Sequence, residues 1–151
     1  MRLPLTITDL RGGIAVVVGG GVVGERKVRS LLAAGAPVRL ISPTATDQLQ
    51  AWAADNQFVW ERRPFREGDL DGAALVFAAT NVRAVNGKIA QAACDRGLLV
   101  NVADAPAEGN FHSPAVHRSG DLIVSVSTIS GRPRQATTAR DKIAALLASD
   151  S

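Results

Sequence analysis

The fold is decided by residues 14–24, which read IAVVVGGGVVG. Five apolar residues run without interruption into Gly19, Gly21 and Gly24, which have the spacing G-x-G-x-x-G. A short continuous apolar run is typical of a strand that is buried on both faces of a parallel sheet. The glycine spacing is typical of a tight turn that leads directly into a helix. The stretch therefore predicts a strand, a turn and a helix start.

In a dinucleotide-binding unit each of these glycines has a separate task. Gly19 permits the turn, Gly21 lets the backbone approach a pyrophosphate, and Gly24 lets the helix pack closely on the strand. The phosphates lie at the helix N-terminus, where free N–H groups and the helix dipole favour negative charge. The predicted cofactor contacts at this turn are Gly19, Gly20, Gly21, Val22, Val23 and Gly24.

The residues that follow complete a βαβ unit. Apolar residues recur at helical spacing over residues 22–32, and Gly35 gives a helix stop. A short apolar run over residues 38–41 predicts the second strand.

The usual carboxylate that holds the adenosine ribose, about 20 residues after the glycines, is missing. The second strand ends at Ser42 and Pro43, and Asp47, the nearest acid, is expected inside the next helix. Ser42 and Thr44 are then candidates for hydrogen bonds to a ribose. Arg39 lies midway along a strand and is poorly placed for a 2′-phosphate. We therefore predict NAD as the cofactor and leave NADP open.

Strands and helices continue to alternate along the chain, which predicts an α/β, Rossmann-like, doubly wound parallel sheet. Ligands of such sheets bind at the carboxyl ends of the strands. This edge should therefore bring the glycine turn together with Ser42, Pro43, Thr80, Asn81 and Asp104. The predicted helices cover residues 44–56, capped by Thr44 or Thr46, and residues 81–96, capped by Asn81; the later strands cover residues 58–60, 74–79 and 98–102.

The pattern changes after residue 110. We predict a strand over residues 122–127 and a helix over residues 141–148. So small an extension cannot build a core of its own and should pack on a second subunit. The predicted organisation is an NAD-binding domain over residues 1–110 and a dimerisation segment over residues 111–151.

Composition excludes several classes of function. The net charge is only +3 and the basic residues are scattered without interleaved aromatics, so nucleic-acid binding is unsupported. No segment approaches 18 apolar residues, and the N-terminus lacks the apolar stretch of a signal peptide. Cys94, the single cysteine, is expected as a small core residue in a reducing compartment. We therefore expect a cytoplasmic protein without a membrane or nucleic-acid partner.

Several motifs in order along the chain resemble the precorrin-2 dehydrogenase family, also known as the N-terminal module of siroheme synthase. The first is G-G-G-x-V-x-x-R-K, from Gly19 to Lys27, and the second is N-V-x-D-x-P, from Asn101 to Pro106. The other matching pieces are Leu3-Pro4-Leu5, Ala36-Pro37-Val38, Ala78-Ala79-Thr80-Asn81 with Asn86, Phe111 with Pro114-Ala115, and Gly120-Asp121-Leu122.

The resemblance implies a homodimeric, NAD-dependent enzyme that oxidises precorrin-2, a tetrapyrrole with eight carboxylates, to sirohydrochlorin. Some members of the family also insert ferrous iron. The family's important carboxylate, proposed as general base and as a helper in chelation, falls on Asp104. A carboxylate at a strand's end can accept a proton or stabilise developing positive charge. From the residues alone, Asp104 before Ala105 and Pro106 is expected to cap a turn, and only the resemblance favours the catalytic role.

A polyanionic substrate gives the basic residues near the C-terminus a possible role, beside their ordinary role as solvated surface charge. The candidate substrate contacts are Arg118, Thr128, Arg132, Arg134 and, by charge alone, Arg140. His112 and His117 are five residues apart without a nearby carboxylate pair, so a metal site formed by them is a weak hypothesis and we predict none.

The sequence also departs from the family. Two glycines and a Ser-Pro are usual after Thr128, where this chain has Ile129-Ser130-Gly131-Arg132-Pro133, so the segment expected to border the macrocycle differs from that of the family. The family's C-terminal helical region is expected to be absent or truncated, which bears most on chelation.

Two other classes of function fit parts of the sequence. One is a non-catalytic module that senses NAD(H) or a tetrapyrrole. The other is a ligand-gating domain of the potassium-transport type, although those domains normally carry the ribose-binding acid that is missing here.

Overall fold

The computed structural model describes residues 2–149. They form two compact units, one from Thr6 to His112 and one that combines the residues up to Leu5 with those from Ser113 onward. Strands and helices alternate along the first unit: β1 (Ile14–Val18), α1 (Val22–Ala33), β2 (Val38–Ile41), α2 (Asp47–Ala54), β3 (Val59–Glu61), β4 (Ala73–Ala78), α3 (Arg83–Asp95) and β5 (Leu99–Val102). Two short 3₁₀ turns, Glu67–Leu70 and Pro106–Glu108, precede β4 and follow β5.

The sheet of the first unit has the strand order β3-β2-β1-β4-β5, and all neighbouring strands are parallel. The chain therefore builds outward from β1 to β3 and then returns to the other side of β1. The point of reversal lies at the carboxyl end of β1, where the glycines follow, and this is where such sheets bind their ligands. The predicted doubly wound sheet is confirmed.

Both faces of the sheet are buried, which explains the unbroken apolar run of β1. Val17 packs with Val28 of α1 and Leu49 of α2, whereas Val16 packs on the opposite face with Ile89 of α3. All five side chains are fully buried. Burial of each such side chain stabilises the fold by about 1.5–3 kcal/mol, so the sheet is a firm base for the loops at its carboxyl edge.

The outer edge of β5 is covered by residues 109–111. The side-chain amide of Asn110 accepts a hydrogen bond from the Val100 N–H at 2.8 Å and donates one to the Leu98 carbonyl at 2.8 Å. The backbone N–H of Asn110 also donates to the Val100 carbonyl, at 2.9 Å. A Cβ atom at Gly109 would lie 2.6 Å from that carbonyl, so glycine is required for the close approach. These contacts satisfy backbone groups that an open sheet edge would leave unpaired.

The second unit is a hairpin with a helix: β6 (Ala115–Ser119), β7 (Leu122–Val126) and α4 (Pro133–Ser149). Ala136 is the one apolar residue that is buried among the described residues of this unit. Leu122 and Ile123 are each 55% exposed, and Leu146 is 66% exposed. The unit therefore presents apolar surface that it does not cover by itself.

Two predictions about this unit were wrong. β6 was not foreseen, because its sequence AVHRS contains two long polar residues among the strand's few apolar ones. The last helix begins at Pro133 rather than at residue 141, because proline is well suited to the first helical position. The hydroxyls of Thr137 and Thr138 donate to helical carbonyls four residues earlier, so these residues do not interrupt the helix.

Two further predictions needed correction in the first unit. α2 is shorter than predicted, and of the two candidate caps Thr46 is the one used: its hydroxyl oxygen accepts from the Leu49 N–H at 3.3 Å. Cys94 is exposed on α3 and is not a core residue, because the buried face of that helix is formed by Ile89, Ala90 and Ala93 with two others.

Candidate functional site

The glycine turn has the shape that the spacing predicts. Gly19 is buried with φ +114°, and a Cβ atom there would collide with the Ala79 carbonyl at the end of β4. A Cβ atom at Gly24 would collide with the Gly19 carbonyl, so α1 packs directly on the turn. Gly21, by contrast, is exposed before the first turn of α1 and has no atom within 4 Å of an added Cβ. Open space thus lies in front of free N–H groups, as an anion site requires.

Ser42 supports this turn from the end of β2. Its hydroxyl oxygen accepts a hydrogen bond from the Gly20 N–H at 2.9 Å, and the side chain is buried. The Gly20 carbonyl in turn accepts from the Thr46 N–H at 3.0 Å. Pro43 and Thr44 follow as exposed residues at the same edge. The observed partner of Ser42 is therefore the glycine turn, and a contact with ribose stays a prediction.

The carboxylate of Glu25, in the first turn of α1, also has both a hydrogen-bond partner and an ion-pair partner within the protein. Its carboxylate accepts from the Thr46 hydroxyl at 2.8 Å and pairs with Arg29 at 2.6 Å. This acid ties α1 to the loop after β2, and both of its oxygens already have partners.

Asn86 lies at the centre of the second half of the site. Its side chain is fully buried, and its amide oxygen accepts from the N–H and the hydroxyl of Thr80, at 3.1 and 2.6 Å. Its amide nitrogen donates to the Thr80 carbonyl at 2.9 Å and to the Asp104 carboxylate at 3.0 Å. One side chain thus joins the end of β4 to the loop that follows β5.

The prediction that Asn81 caps the next helix was wrong. α3 begins at Arg83, and Val82, in extended conformation, occupies the capping position without a side-chain hydrogen bond. The Val82 carbonyl accepts the N–H groups of Val85 and Asn86 at 3.0 and 3.1 Å. Asn81 lies one residue too early for the cap and is exposed at the edge of the sheet.

Asp104 follows β5 and faces the N-terminal end of α3. Besides the Asn86 amide, its carboxylate oxygen accepts from the Arg83 guanidinium at 2.6 Å, and Arg83 also pairs with Glu108. Burial opposes ionisation of Asp104, but the hydrogen bonds from Asn86 and Arg83 outweigh it, so the pKa of this carboxyl lies below its usual value. Asp104 is therefore an anion at neutral pH, with its side chain 38% exposed.

Asp104 does not cap the turn that follows it. The 3₁₀ turn Pro106–Glu108 has Ala105 in the capping position, and no side-chain hydrogen bond closes it. The reading of Asp104 as a simple turn residue is thus wrong, because its carboxylate points to Asn86 and Arg83 instead.

Sequence reasoning placed the edge of the sheet correctly but missed three residues that shape it. Asn86 was noted only as part of a family motif, while Arg83 and Glu108 were not singled out. Asn86 did leave a signal, since it is a polar residue on the face of α3 that otherwise carries Ile89 and Ala93. The ion pairs of Arg83 with Asp104 and Glu108 gave no signal in the sequence, because the paired residues are 21 and 25 positions apart.

The predicted substrate contacts, Arg140 included, all belong to the second unit. Arg118 lies on β6, and Arg134 is exposed in the first turn of α4. The Thr128 hydroxyl accepts from the Arg132 N–H at 2.6 Å, which braces the loop before α4. Their role in substrate binding remains a prediction.

Two classes of feature are not found among residues 2–149. No three His, Cys, Asp or Glu side chains lie close enough together to hold a metal ion. Over the same residues, no helix has the length and apolar character needed to cross a membrane.

Comparison with known proteins identifies the family to which this chain belongs. Residues 6–115 match the model of a family described as putative NAD(P)-binding. The chain belongs to this putative NAD(P)-binding family. The match contains the whole of the glycine turn and Asp104, so the prediction of a nicotinamide dinucleotide cofactor is confirmed.

Similar proteins narrow the position of the chain within the NAD(P)-binding family. The chain is 36% identical over 145 residues to siroheme synthase of Nitrosococcus oceani, covering 96% of this chain and 31% of that protein. It is 40% identical over 147 residues to siroheme synthase of Pseudomonas entomophila, covering 97% of this chain and 32% of that protein. The chain thus spans about a third of the length of the curated relatives it matches.

Among solved structures, the chain is similar to SirC, a precorrin-2 dehydrogenase. The TM-score is 0.82 at 29% identity, and the match covers 95% of this chain and 70% of that one. It extends over both units, so the predicted fold and the resemblance to the precorrin-2 dehydrogenase family are confirmed.

Proposed function

We propose that this chain binds NAD at the glycine turn and oxidises precorrin-2 to sirohydrochlorin in siroheme biosynthesis. The observation that carries the proposal is the carboxylate of Asp104, held by Asn86 and Arg83 at the same sheet edge as the glycine turn. The similarity to SirC and to siroheme synthases supports the choice of substrate.

The residues present fit a dinucleotide. The open space at Gly21 accommodates a pyrophosphate, and the first turn of α1 offers N–H groups and the positive end of a helix dipole. Val22 is exposed beside Gly21, while Thr80 and Asn81 border the reversal point from β4. When bound, NAD supplies the hydride acceptor.

Asp104 acts in this proposal chiefly through its charge. Loss of a hydride from precorrin-2 leaves positive charge on the macrocycle, and a fixed anion at that edge stabilises it. The carboxylate then accepts the proton that the macrocycle releases and passes it to solvent, so that one hydride and one proton leave the substrate. Arg83 and Asn86 position the carboxylate without touching the substrate.

The second unit supplies the dimer contact and part of the substrate site in this proposal. Its exposed apolar residues, Leu122, Ile123 and Leu146, are suited to burial against a second copy of the chain. Arg118, Arg132 and Arg134 offer guanidinium groups that match the substrate's carboxylates. A reducing cytoplasm suits the exposed thiol of Cys94, for which the sequence contains no disulfide partner within the chain.

Anaerobic turnover tests the proposal. The purified protein is mixed with precorrin-2 and NAD, and the absorbance of NADH is followed together with the spectrum of sirohydrochlorin. We expect both products to appear in equal amounts. In Asp104→Asn, turnover should fall by about 100-fold or more while NAD binding and fold are retained.

Three outcomes would contradict parts of the proposal. NAD binding without product, with an active full-length relative as the positive control, would favour a non-catalytic sensing module. Unchanged turnover in Asp104→Asn would remove Asp104 from the mechanism. A protein that binds no NAD would contradict the cofactor site itself.

A further inference from the structure

An exposed guanidinium lies at the sheet edge beside the position of the missing ribose-binding acid. β2 and β3 are parallel with Ile41 opposite Glu61, and the Ser42 N–H donates to the Glu61 carbonyl at 3.1 Å. Ser42 and Arg62 are therefore the next residues on these neighbouring strands, at the edge where the cofactor's adenosine is expected. Arg39, the arginine considered from the sequence, lies in the middle of β2 instead.

Trp60 fixes this guanidinium to the glycine turn through a short chain of contacts. The indole N–H of Trp60 donates to the Ser42 carbonyl at 2.9 Å, and the Ser42 hydroxyl accepts from Gly20. The Cζ atom of Arg62 lies 4.2 Å from the centroid of the Trp60 ring, a close cation–π stack. Stacking holds the planar guanidinium in place while leaving its N–H groups free for an anion.

The charges around Arg62 are already paired elsewhere. Arg63 binds both carboxylate oxygens of Asp69, at 2.9 and 2.6 Å, and lies 3.7 Å from Glu61. Glu25, the acid of the first turn of α1, is held by Thr46 and Arg29. In the part of the chain that the structure describes, no carboxylate lies within ion-pairing distance of Arg62. Among the described residues, the end of β2 thus carries no acid, and the neighbouring β3 is followed by Arg62, which has no ion pair.

We infer that Arg62, stacked on Trp60 at the end of β3, binds an adenosine 2′-phosphate, so that the site accepts NADP as well as NAD. An acid at this edge selects NAD by binding the ribose hydroxyls and repelling a phosphate, whereas an arginine accommodates the phosphate. The inference rests on the proposed cofactor site and extends it to a second cofactor. It does not depend on the identity of the tetrapyrrole.

Calorimetric titration without tetrapyrrole tests the inference directly. NAD and NADP are titrated separately into the wild-type chain, Arg62→Gln and Arg62→Glu. Lys142→Gln is the control, because it removes one positive charge from an exposed side chain of α4 to which the proposal assigns no role. Circular dichroism checks that each variant is folded.

We expect the wild-type chain to bind NADP at least as tightly as NAD. Arg62→Gln should weaken NADP binding by about tenfold, the effect of one charge-assisted contact, and leave NAD binding within about twofold. Arg62→Glu should weaken NADP binding further, and Lys142→Gln should change neither affinity. The part of the NADP affinity that depends on Arg62 should decrease as the salt concentration is raised from about 0.05 to 0.5 M, because exposed charges are screened.

The inference is overturned if wild-type NADP binding is absent or if it is unchanged in Arg62→Gln. It is also overturned if both cofactors weaken in the same proportion, because Arg62 would then support a part common to both. In each of these cases intact NAD binding leaves the proposed function standing. Failure of the wild-type chain to bind either dinucleotide would instead contradict the proposed function.

Discussion

Replacing Asn86 with alanine should disconnect the two halves of the candidate site. The Asn86 amide makes four hydrogen bonds, three to Thr80 and one to the Asp104 carboxylate, and the side chain has no exposed surface. Asn86→Ala removes all four and leaves the N–H and carbonyl of Thr80 without this partner. No other side chain in the described residues joins β4 to Asp104 through hydrogen bonds.

The loss of unfolding free energy in Asn86→Ala can be estimated from the backbone groups that lose their hydrogen-bond partner. An unsatisfied buried backbone group costs about 1–3 kcal/mol. Thr80 is half-buried, so water offsets part of the loss, and we expect its two groups together to cost about 1–3 kcal/mol of unfolding free energy. Because Asp104 is partly exposed, water replaces its lost contact, and its contribution to stability is small. Its pKa should nevertheless rise toward the usual value, since one of the two side-chain hydrogen bonds that lower it is gone.

Urea unfolding and an NMR pH titration of the Asp104 carboxyl carbon measure the two effects. Gln91→Ala is the matched control, because it removes an amide from the exposed side of the same helix, where Gln91 contacts Asp95. This control should lose no more than about 0.5 kcal/mol. The reasoning would be refuted if Asn86→Ala were as stable as the control, or if the Asp104 pKa stayed at its wild-type value.

Three further predictions concern the turn, an ion pair and the second unit. Gly21→Val should fold normally, because its φ is −81° and no atom lies within 4 Å of the added Cβ, yet it should weaken NAD binding by about tenfold or more in a calorimetric titration; native affinity would contradict the pyrophosphate position. The hydrogen bond from Arg63 lowers the pKa of Asp69, so its carboxylate stabilises the fold above the ordinary carboxyl pKa of about 3.9, and this stabilisation is lost as pH falls through the lower folded value. Asp69→Asn should therefore be less stable than wild type in urea at pH 7, with a smaller difference at pH 3; a difference independent of pH would argue against the pair. In the proposed dimer, Ile123→Asp should shift the chain toward monomer in analytical ultracentrifugation, and a dimer that this variant leaves unchanged would exclude this face as the contact.

The parallel sheet could be predicted from the sequence because its signals are local. The apolar run of β1 and the three glycines specify strand, turn and helix within eleven residues, and the predicted bounds of β1 and β2 are those observed. The second unit was harder, since its hairpin gives no unbroken apolar run. β6 alternates half-buried and exposed residues over only five positions, and α4 carries threonines that periodicity alone assigns to a loop.

The candidate site was predictable only in part, for a related reason. Topology placed Asp104 and the glycine turn at one edge, because parallel strands share a carboxyl end. Side-chain pairing at that edge depends on rotamers and distances that no sequence spacing encodes. The Ser42 hydroxyl thus accepts a hydrogen bond from Gly20, and the arginine without an ion pair at this edge of the described sheet is Arg62, which follows β3, 20 positions later.

The environment of Asp104 bears on which of its two predicted roles dominates. A strong general base requires a carboxyl pKa near the working pH, since basicity falls with pKa. Arg83 and Asn86 instead hold the Asp104 pKa below its usual value, against the effect of burial. Such a carboxylate accepts a proton weakly, but it is fully charged at neutral pH and needs no reorganisation to stabilise a cation. In the proposed reaction, the geometry therefore favours charge stabilisation as the larger contribution of Asp104, and turnover should be insensitive to ionisation of this group across the neutral range.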